Sequence, residues 1–207
     1  MRIIGGSLKK RKISFINSSN TRPLRDIVRE NIFNLISHSN KISVDLQQCI
    51  VLDLYSGVGS FGLETLSRGA IKVDFVEKNS DTLKILKKNI KSLSLQDKTE
   101  VYPIDVERFF QILKIDYKYN IIFLDPPYAE DNFQKILSLI IKAKIYNKNN
   151  LLIIHRENKT REFLNITSAD ELILTAQIFD HRARLESFEI GSAVCTELVE
   201  EYSKAAA

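Results

Sequence analysis

The stretch that most constrains this chain runs from Val51 to Gly62. An apolar run from Cys49 to Tyr55, interrupted only by Asp53, empties into a loop that carries Gly57, Gly59 and Gly62, and helix-type sequence begins at once behind it. Such a segment folds as a buried strand, a tight turn and a helix start. The glycine spacing is GxGxxG, with acidic Glu77 twenty residues beyond Gly57, a layout shared with dinucleotide sites. Spacing alone does not select the ligand. Asp53 does, because it sits near the carboxyl end of the strand, where a pyrophosphate would have to lie, and two negative charges repel in a poorly screened crevice. A ligand with a positive amino group and a sulfonium, and no phosphate, is attracted there instead. S-adenosylmethionine (SAM) has that chemistry. The glycines then let backbone approach the ligand closely, and Glu77 accepts hydrogen bonds from its ribose hydroxyls.

The rest of the chain builds a sheet around this unit. Leu24 to Ser37 reads as a helix with Val28, Ile32, Leu35 and Ile36 on one stripe, after Thr21-Arg22-Pro23. Phe61 to Ser67 is a helix closed by Gly69, and Val73 to Glu77 a second strand. Asn79 or Ser80 caps a helix whose Leu83, Leu86, Ile90 and Leu93 face inward while Lys84, Lys87, Lys88 and Lys91 face water. Those lysines read as solubilising. Strands follow at Glu100 to Ile104, Asn120 to Leu124 and Leu151 to Ile154, with helices at Val106 to Leu113 and Phe133 to Ile145, and then strands at Leu172 to Phe179 and Phe188 to Val194. Alternation followed by two consecutive strands indicates an α/β fold: a doubly wound, mostly parallel, seven-stranded Rossmann-like sheet with an antiparallel C-terminal hairpin. Residues 1–40 read as a small basic extension of hairpin and helix, residues 41–203 as the main domain, and 204–207 as an expression scar.

Charge is unevenly placed. The net charge is +4, yet the first 30 residues carry Arg2, Lys9, Lys10, Arg11, Lys12, Arg22, Arg25 and Arg29 against Asp26 and Glu30, so they hold +6 and the remainder −2. Clustering of this kind is the footprint of phosphate-backbone binding. Arg25 and Arg29 are one helical turn apart and share a face, so that with Arg22 they can grip a phosphate. Cys49 and Cys195 lie apart without CxxC spacing and read as buried free thiols, and His38, His155 and His181 are scattered singly, so no metal site is assigned. No apolar run is long enough to span a membrane and no signal peptide is seen, which points to the cytoplasm.

Acidic residues recur at the carboxyl ends of four successive strands: Asp53, Glu77, Asp105 and Asp125. In an open parallel sheet those ends line one crevice. The last begins Asp125-Pro126-Pro127-Tyr128, in which two prolines remove two backbone donors and leave acceptors only. Such a loop suits a substrate that brings donors, above all an exocyclic amino group. Hydrogen bonds from that group to Asp125 and to the carbonyl of Pro126 localise the nitrogen lone pair, so that rate comes from alignment and electrostatics. Tyr128 is placed to stack on the base.

At these residues the chain resembles the class I SAM-dependent methyltransferases that act on amino groups. More narrowly, Arg2-Ile3-Ile4-Gly5-Gly6, Arg22-Pro23 with Asp26 to Asn34, and Leu63 to Ala70 are similar to the bacterial RsmD-type 16S ribosomal RNA guanine-N2 methyltransferases. The resemblance implies SAM held by Asp53, Tyr55, Gly57, Gly59, Glu77, Asp105 and Asp125, with Asp105 on the adenine amino group. It implies catalysis by Asp125, Pro126 and Tyr128, RNA held by the basic start of the chain, and action as a monomer on 16S ribosomal RNA in the small ribosomal subunit or its assembly intermediate. Leu24 and Arg184-Leu185-Glu186 depart from the family pattern. Three other readings stay open. DNA adenine-N6 methylation uses the same acceptor logic but lacks a separate target-recognition domain here, a NAD-dependent oxidoreductase sits badly with Asp53, and a non-catalytic assembly factor sits badly with the intact Asp125 loop.

Overall fold

The computed structural model describes residues 1–15, 24–39, 42–127 and 133–156, together with the backbone of strands at 172–179, 182–189 and 196–198. Helix α1 (Asp26–His38) leads into β1 (Ile50–Leu54), α2 (Ser60–Ser67), β2 (Lys72–Val76), α3 (Ser80–Ser92), β3 (Thr99–Tyr102), α4 (Val106–Ile112), β4 (Tyr119–Leu124), α5 (Phe133–Ala143) and β5 (Tyr146–Arg156). Three more strands follow: β6 (Leu172–Phe179), β7 (Arg182–Glu189) and β8 (Thr196–Leu198). The sheet order is β3-β2-β1-β4-β5-β6-β7-β8. Pairing is parallel through β6 and antiparallel for β6 with β7 and β7 with β8. The fold is Rossmann-like with a mostly parallel sheet.

Because side chains alternate along a strand, the five strands up to β5 bury two separate cores. Val51, Phe75, Phe123 and Ile153 face one side, where α1, α2 and α3 pack. Leu52, Val76, Leu124 and Ile154 face the other, under α4 and α5. Phe33, Phe61 and Phe123 stack in series at centroid distances of 5.4 and 4.0 Å, so α1 and α2 are fastened to β4 by aromatic rings. The chain runs outward from β1 to β3 and then returns to place β4 on the other side of β1. That reversal opens a crevice at the carboxyl ends of β1 and β4.

The N-terminal segment stays out of the sheet, as its pattern suggests. It folds as a small hairpin around an Arg2–Lys12 bridge, closed by hydrogen bonds from Ile3 N to the Arg11 carbonyl at 2.9 Å and from Lys10 N to the Ile3 carbonyl at 2.9 Å. Ile3 and Ile13 are buried in the same cluster as Val51 and Phe61, so hairpin and sheet share one core.

Several boundaries differ from expectation. Among the described residues the sheet has eight strands in its order rather than seven, and the second strand of the hairpin is β7 at Arg182–Glu189, not Phe188 to Val194. Apolar content was the wrong guide there, since that strand mixes charged and apolar residues, as antiparallel strands with one face toward water do; the three-residue β8 is too short to leave a pattern. β5 begins five residues earlier than its apolar run, at Tyr146, because Asn147 to Asn150 disguise its first half. Helix α1 starts at Asp26, with Arg25 in extended backbone at the N-cap, and Pro23 lies outside the described residues. Gly69 takes a φ of 118° after α2 and Asn79 caps α3, accepting from the amides of Asp81 and Thr82. Cys49 is a buried free thiol pushed up to about 12 by that burial, and Cys195 lies outside the described residues. None of the described helices is long and apolar enough to cross a membrane.

Candidate active site

The glycine loop turns out of β1 through two residues with positive φ. Tyr55 has a φ of 57° and Gly57 one of 56°. A tyrosine in that region is strained, and such strain gathers at functional sites. An added Cβ on Gly57 would meet nothing within 4 Å, so the loop fronts open space. Gly59 reaches α2 with a φ of 83°. Gly62 serves packing instead, since a side chain there would drive into the Phe75 ring.

Asp53 lies on the α2 side of β1 and is 1% exposed. Its Oδ2 accepts a hydrogen bond from Gly62 N at 3.0 Å, whereas Oδ1 has no hydrogen-bond partner. Burial pushes the Asp53 carboxyl well above the ordinary carboxylate range; the Gly62 amide opposes that shift, and the charges of Asp125 and Glu77 add to it. The Ser56 hydroxyl is also buried without a partner. Two unsatisfied polar groups at the mouth of one crevice are what a ligand with a cationic amino group would complete.

Glu77, half-buried just past β2, latches the loop: its Oε2 accepts from Gly57 N at 2.9 Å and its Oε1 from Asn79 N at 2.7 Å. Asp105 is exposed and caps α4, with Oδ1 accepting from Arg108 N at 2.8 Å. Asp125 follows β4, and its Oδ1 lies 2.7 Å from His155 Nδ1, the side chains being 28% and 14% exposed. Asp53, Glu77 and Asp125 therefore share one electrostatic neighbourhood at the sheet reversal. Pro126 is half-buried and Pro127 exposed beside Asp125, while Tyr128 lies outside the described residues.

His155 is the residue that sequence reading passes over. Its partner is thirty positions away, and only the parallel register brings them together: Leu124 pairs with Ile154, so the next residue on each strand is Asp125 and His155. A polar residue one step past each of two successive apolar runs, Ile121 to Leu124 and Leu151 to Ile154, was the available signal.

Of the basic residues expected to hold RNA, Arg2, Lys9, Lys10, Arg11 and Lys12 are exposed on the hairpin, and Arg25 is exposed at the start of α1. Arg22 lies outside the described residues. Arg29 corrects the expectation. It is 0% exposed, its Nη2 donating to Asp26 Oδ1 at 2.6 Å and to the Arg2 carbonyl at 2.8 Å, and burial lowers its guanidinium pKa. Spacing by one turn puts two residues on a common face only inside a helix, and Arg25 sits at the extended N-cap.

The family model described as Conserved hypothetical protein 95 matches residues 1–175. Ribosomal RNA small subunit methyltransferase D of Buchnera aphidicola subsp. Acyrthosiphon pisum is 37% identical over 158 residues, which cover 76% of this chain and 78% of that protein. The protein of the same name from Haemophilus influenzae is 31% identical, over 76% of this chain and 79% of its own length. Among solved structures, the Escherichia coli protein yhhF, a candidate methyltransferase, superposes with a TM-score of 0.59 at 25% identity, covering 85% of this chain and 79% of that one.

Proposed function

The chain belongs to the family described as Conserved hypothetical protein 95, and we propose that it methylates the exocyclic N2 amino group of a guanine in 16S ribosomal RNA with SAM as donor. The observation that carries this reading is the buried Asp53 carboxylate, one oxygen unpaired, beside Asp125 at the carboxyl ends of two adjacent strands. When bound, SAM supplies an electrophilic methyl group on sulfur for direct in-line transfer. Asp53 holds its cationic amino group, Glu77 its ribose and Asp105 its adenine amino group, while Tyr55, Gly57 and Gly59 shape the wall.

The chain's own contribution to the reaction lies at Asp125. Its carboxylate and the Pro126 carbonyl accept hydrogen bonds from the two N–H groups of the guanine amino nitrogen, which keeps the lone pair off the ring and aimed along the transfer line. The proton that this nitrogen sheds passes to Asp125, whose orientation is fixed by His155 at 2.7 Å. Tyr128 stacks on the base. The exposed basic residues of the hairpin, with Arg25, hold the RNA backbone, so residues 1–40 act as the RNA-binding extension of the catalytic domain.

Transfer of label from SAM to unmodified small-subunit particles, free small-subunit RNA and duplex DNA, followed by nucleoside analysis, tests the whole reading. N2-methylguanosine from the particle or its RNA is the expected product. Label confined to DNA, or N6-methyladenosine as the product, would overturn it.

A further inference from the structure

Helix α3, whose lysines sequence alone assigns to solvation, is joined to the basic hairpin. Asn89 of α3 is 1% exposed and grips the hairpin strand on both sides: its Oδ1 accepts from Ser14 N at 2.9 Å and its Nδ2 donates to the Ser14 carbonyl at 2.9 Å. The same Nδ2 also donates to the Val58 carbonyl in the glycine loop at 3.1 Å. One turn on, Arg11 Nη2 donates to the Ser92 carbonyl at 2.8 Å, where the helix end favours a cation. Hairpin, α3 and cofactor loop thus meet along one seam.

Lys84, Lys87, Lys88 and Lys91 stand at i, i+3, i+4 and i+7, the spacing of a single helix face, and all four are exposed. Lys84 is paired with Asp81 at 2.9 Å. Among the described residues, Lys87, Lys88 and Lys91 are in no ion pair. Lys88 is four residues from Ser92, about 40° round the helix, so the lysine face begins where the hairpin's Arg11 ends. At the inner end of the seam, next to Ser14, Phe15 is 47% exposed. An exposed ring on a basic hairpin joined to a helix with a lysine face has the make-up of a single-stranded nucleic-acid platform.

We propose that the lysine face of α3 and the basic hairpin form one continuous RNA-backbone surface that leads to the cofactor loop, with Phe15 as a stacking ring for an unpaired base. This rests on the RNA-methylation reading above. Lysines contribute through phosphates and so govern the salt dependence of binding, whereas a stacked ring contributes affinity that salt does not alter. The two parts are separable on that ground.

The test measures binding of unmodified small-subunit RNA over a salt series for wild-type protein and three variants. Replacing Lys87, Lys88 and Lys91 by glutamine is expected to lower the salt slope by about 2, at about 0.7 for each lost contact to single-stranded backbone. Replacing exposed Lys114, Lys142 and Lys148, which lie on or beside α4, α5 and β5, removes the same charge and should leave the slope at the wild-type value. Phe15→Ala should weaken binding about fivefold or more with an unchanged slope. A wild-type slope in the α3 variant, or an equal fall in the control, overturns the surface, and unchanged affinity in Phe15→Ala overturns the stacking ring. Wild-type protein that methylates the RNA while the α3 variant keeps its slope refutes this inference alone; wild-type protein that never methylates RNA refutes the function beneath it.

Discussion

Asp53→Asn is predicted to stabilise the ligand-free protein while abolishing SAM binding. The wild-type carboxylate is 1% exposed, holds one hydrogen bond through Oδ2 and leaves Oδ1 with none. A buried polar group without its partner costs about 1–3 kcal/mol and a charged one more; asparagine leaves a neutral amide nitrogen in the place of Oδ1, so the substitution removes the charge alone, and about 2 kcal/mol is a fair central value for that difference. For a chain of this length each kcal/mol moves the midpoint by about 2–4 °C, so the variant should melt about 4–8 °C higher at pH 8. The asparagine carbonyl still accepts from Gly62 N, so the helix start is preserved.

The sign with pH follows from the direction of the shift. The folded pKa of Asp53 lies above its ordinary value of 3.8, so over that interval the native state holds a proton that the unfolded chain has lost. The stability contributed by the neutral group is fully present below 3.8 and is lost as pH rises through the folded pKa. The difference between variant and wild type should be near zero at pH 4 and open as pH increases. Thermal unfolding from pH 4 to 8, with calorimetric titration of SAM, measures both halves. A variant that melts below wild type at pH 8, or a gap that does not change with pH, refutes the claim that the unpaired oxygen is what the fold carries for its ligand. Retained SAM affinity refutes the pairing itself.

Three further outcomes are expected. Asp125→Ala should abolish methyl transfer and leave SAM affinity nearly unchanged in calorimetry, while His155→Gln, which disturbs the orientation of Asp125, should lower kcat by about tenfold to a hundredfold with the same KM for SAM. Arg29→Met should leave the salt slope of RNA binding at the wild-type value, because the guanidinium is buried, and should cost little stability, since the Asp26 carboxylate it leaves is 49% exposed and two of the guanidinium nitrogens have no hydrogen-bond partner to lose. Glu64→Ala removes the acceptor for Ile4 N at 2.8 Å, Gly5 N at 2.7 Å and Arg68 Nε at 2.9 Å; it should destabilise the protein by about 3 kcal/mol and speed hydrogen exchange at the Ile4 and Gly5 amides.

Local pattern carried most of the central fold. The strand-turn-helix at Val51 to Gly62 and the switch between periods of 2 and 3.6 each lie within a few positions of the chain, and they indicated the order of strands and helices up to β5. What pattern could not carry was anything decided by packing across the sheet. Arg29 has the charge of an RNA ligand and the surroundings of a core residue, because Val28, Ile32 and Phe33 beside it draw that face of α1 inward. His155 reads as a lone histidine until the β4–β5 register sets it next to Asp125. Asp74 reads as a stray acid in a strand, yet the hydroxyls of Tyr117 and Tyr119 donate to its buried Oδ2.

The sequence stretches Arg2 to Gly6 and Leu63 to Ala70 appear unrelated along the chain, and the structure makes them one joint. Glu64 holds the amides of Ile4 and Gly5, the Ser67 hydroxyl donates to the Gly5 carbonyl at 2.5 Å, and Ser7 N donates to the Ser67 carbonyl at 2.7 Å. A side chain on Gly6 would collide with that same carbonyl, so the close approach requires glycine. All eight residues of α2 are buried, and its length is only about 12 Å at 1.5 Å per residue. The amide of Gly62, near one end of this short helix, donates to Asp53, and Ser67 at the other end holds the hairpin. A rigid buried element with the proposed cofactor carboxylate at one end and the proposed RNA-binding hairpin at the other fixes the distance between them. That explains why Glu64 and Ser67 are tolerated inside α2: both fix the register of the hairpin on the helix, where an apolar side chain would give burial without direction.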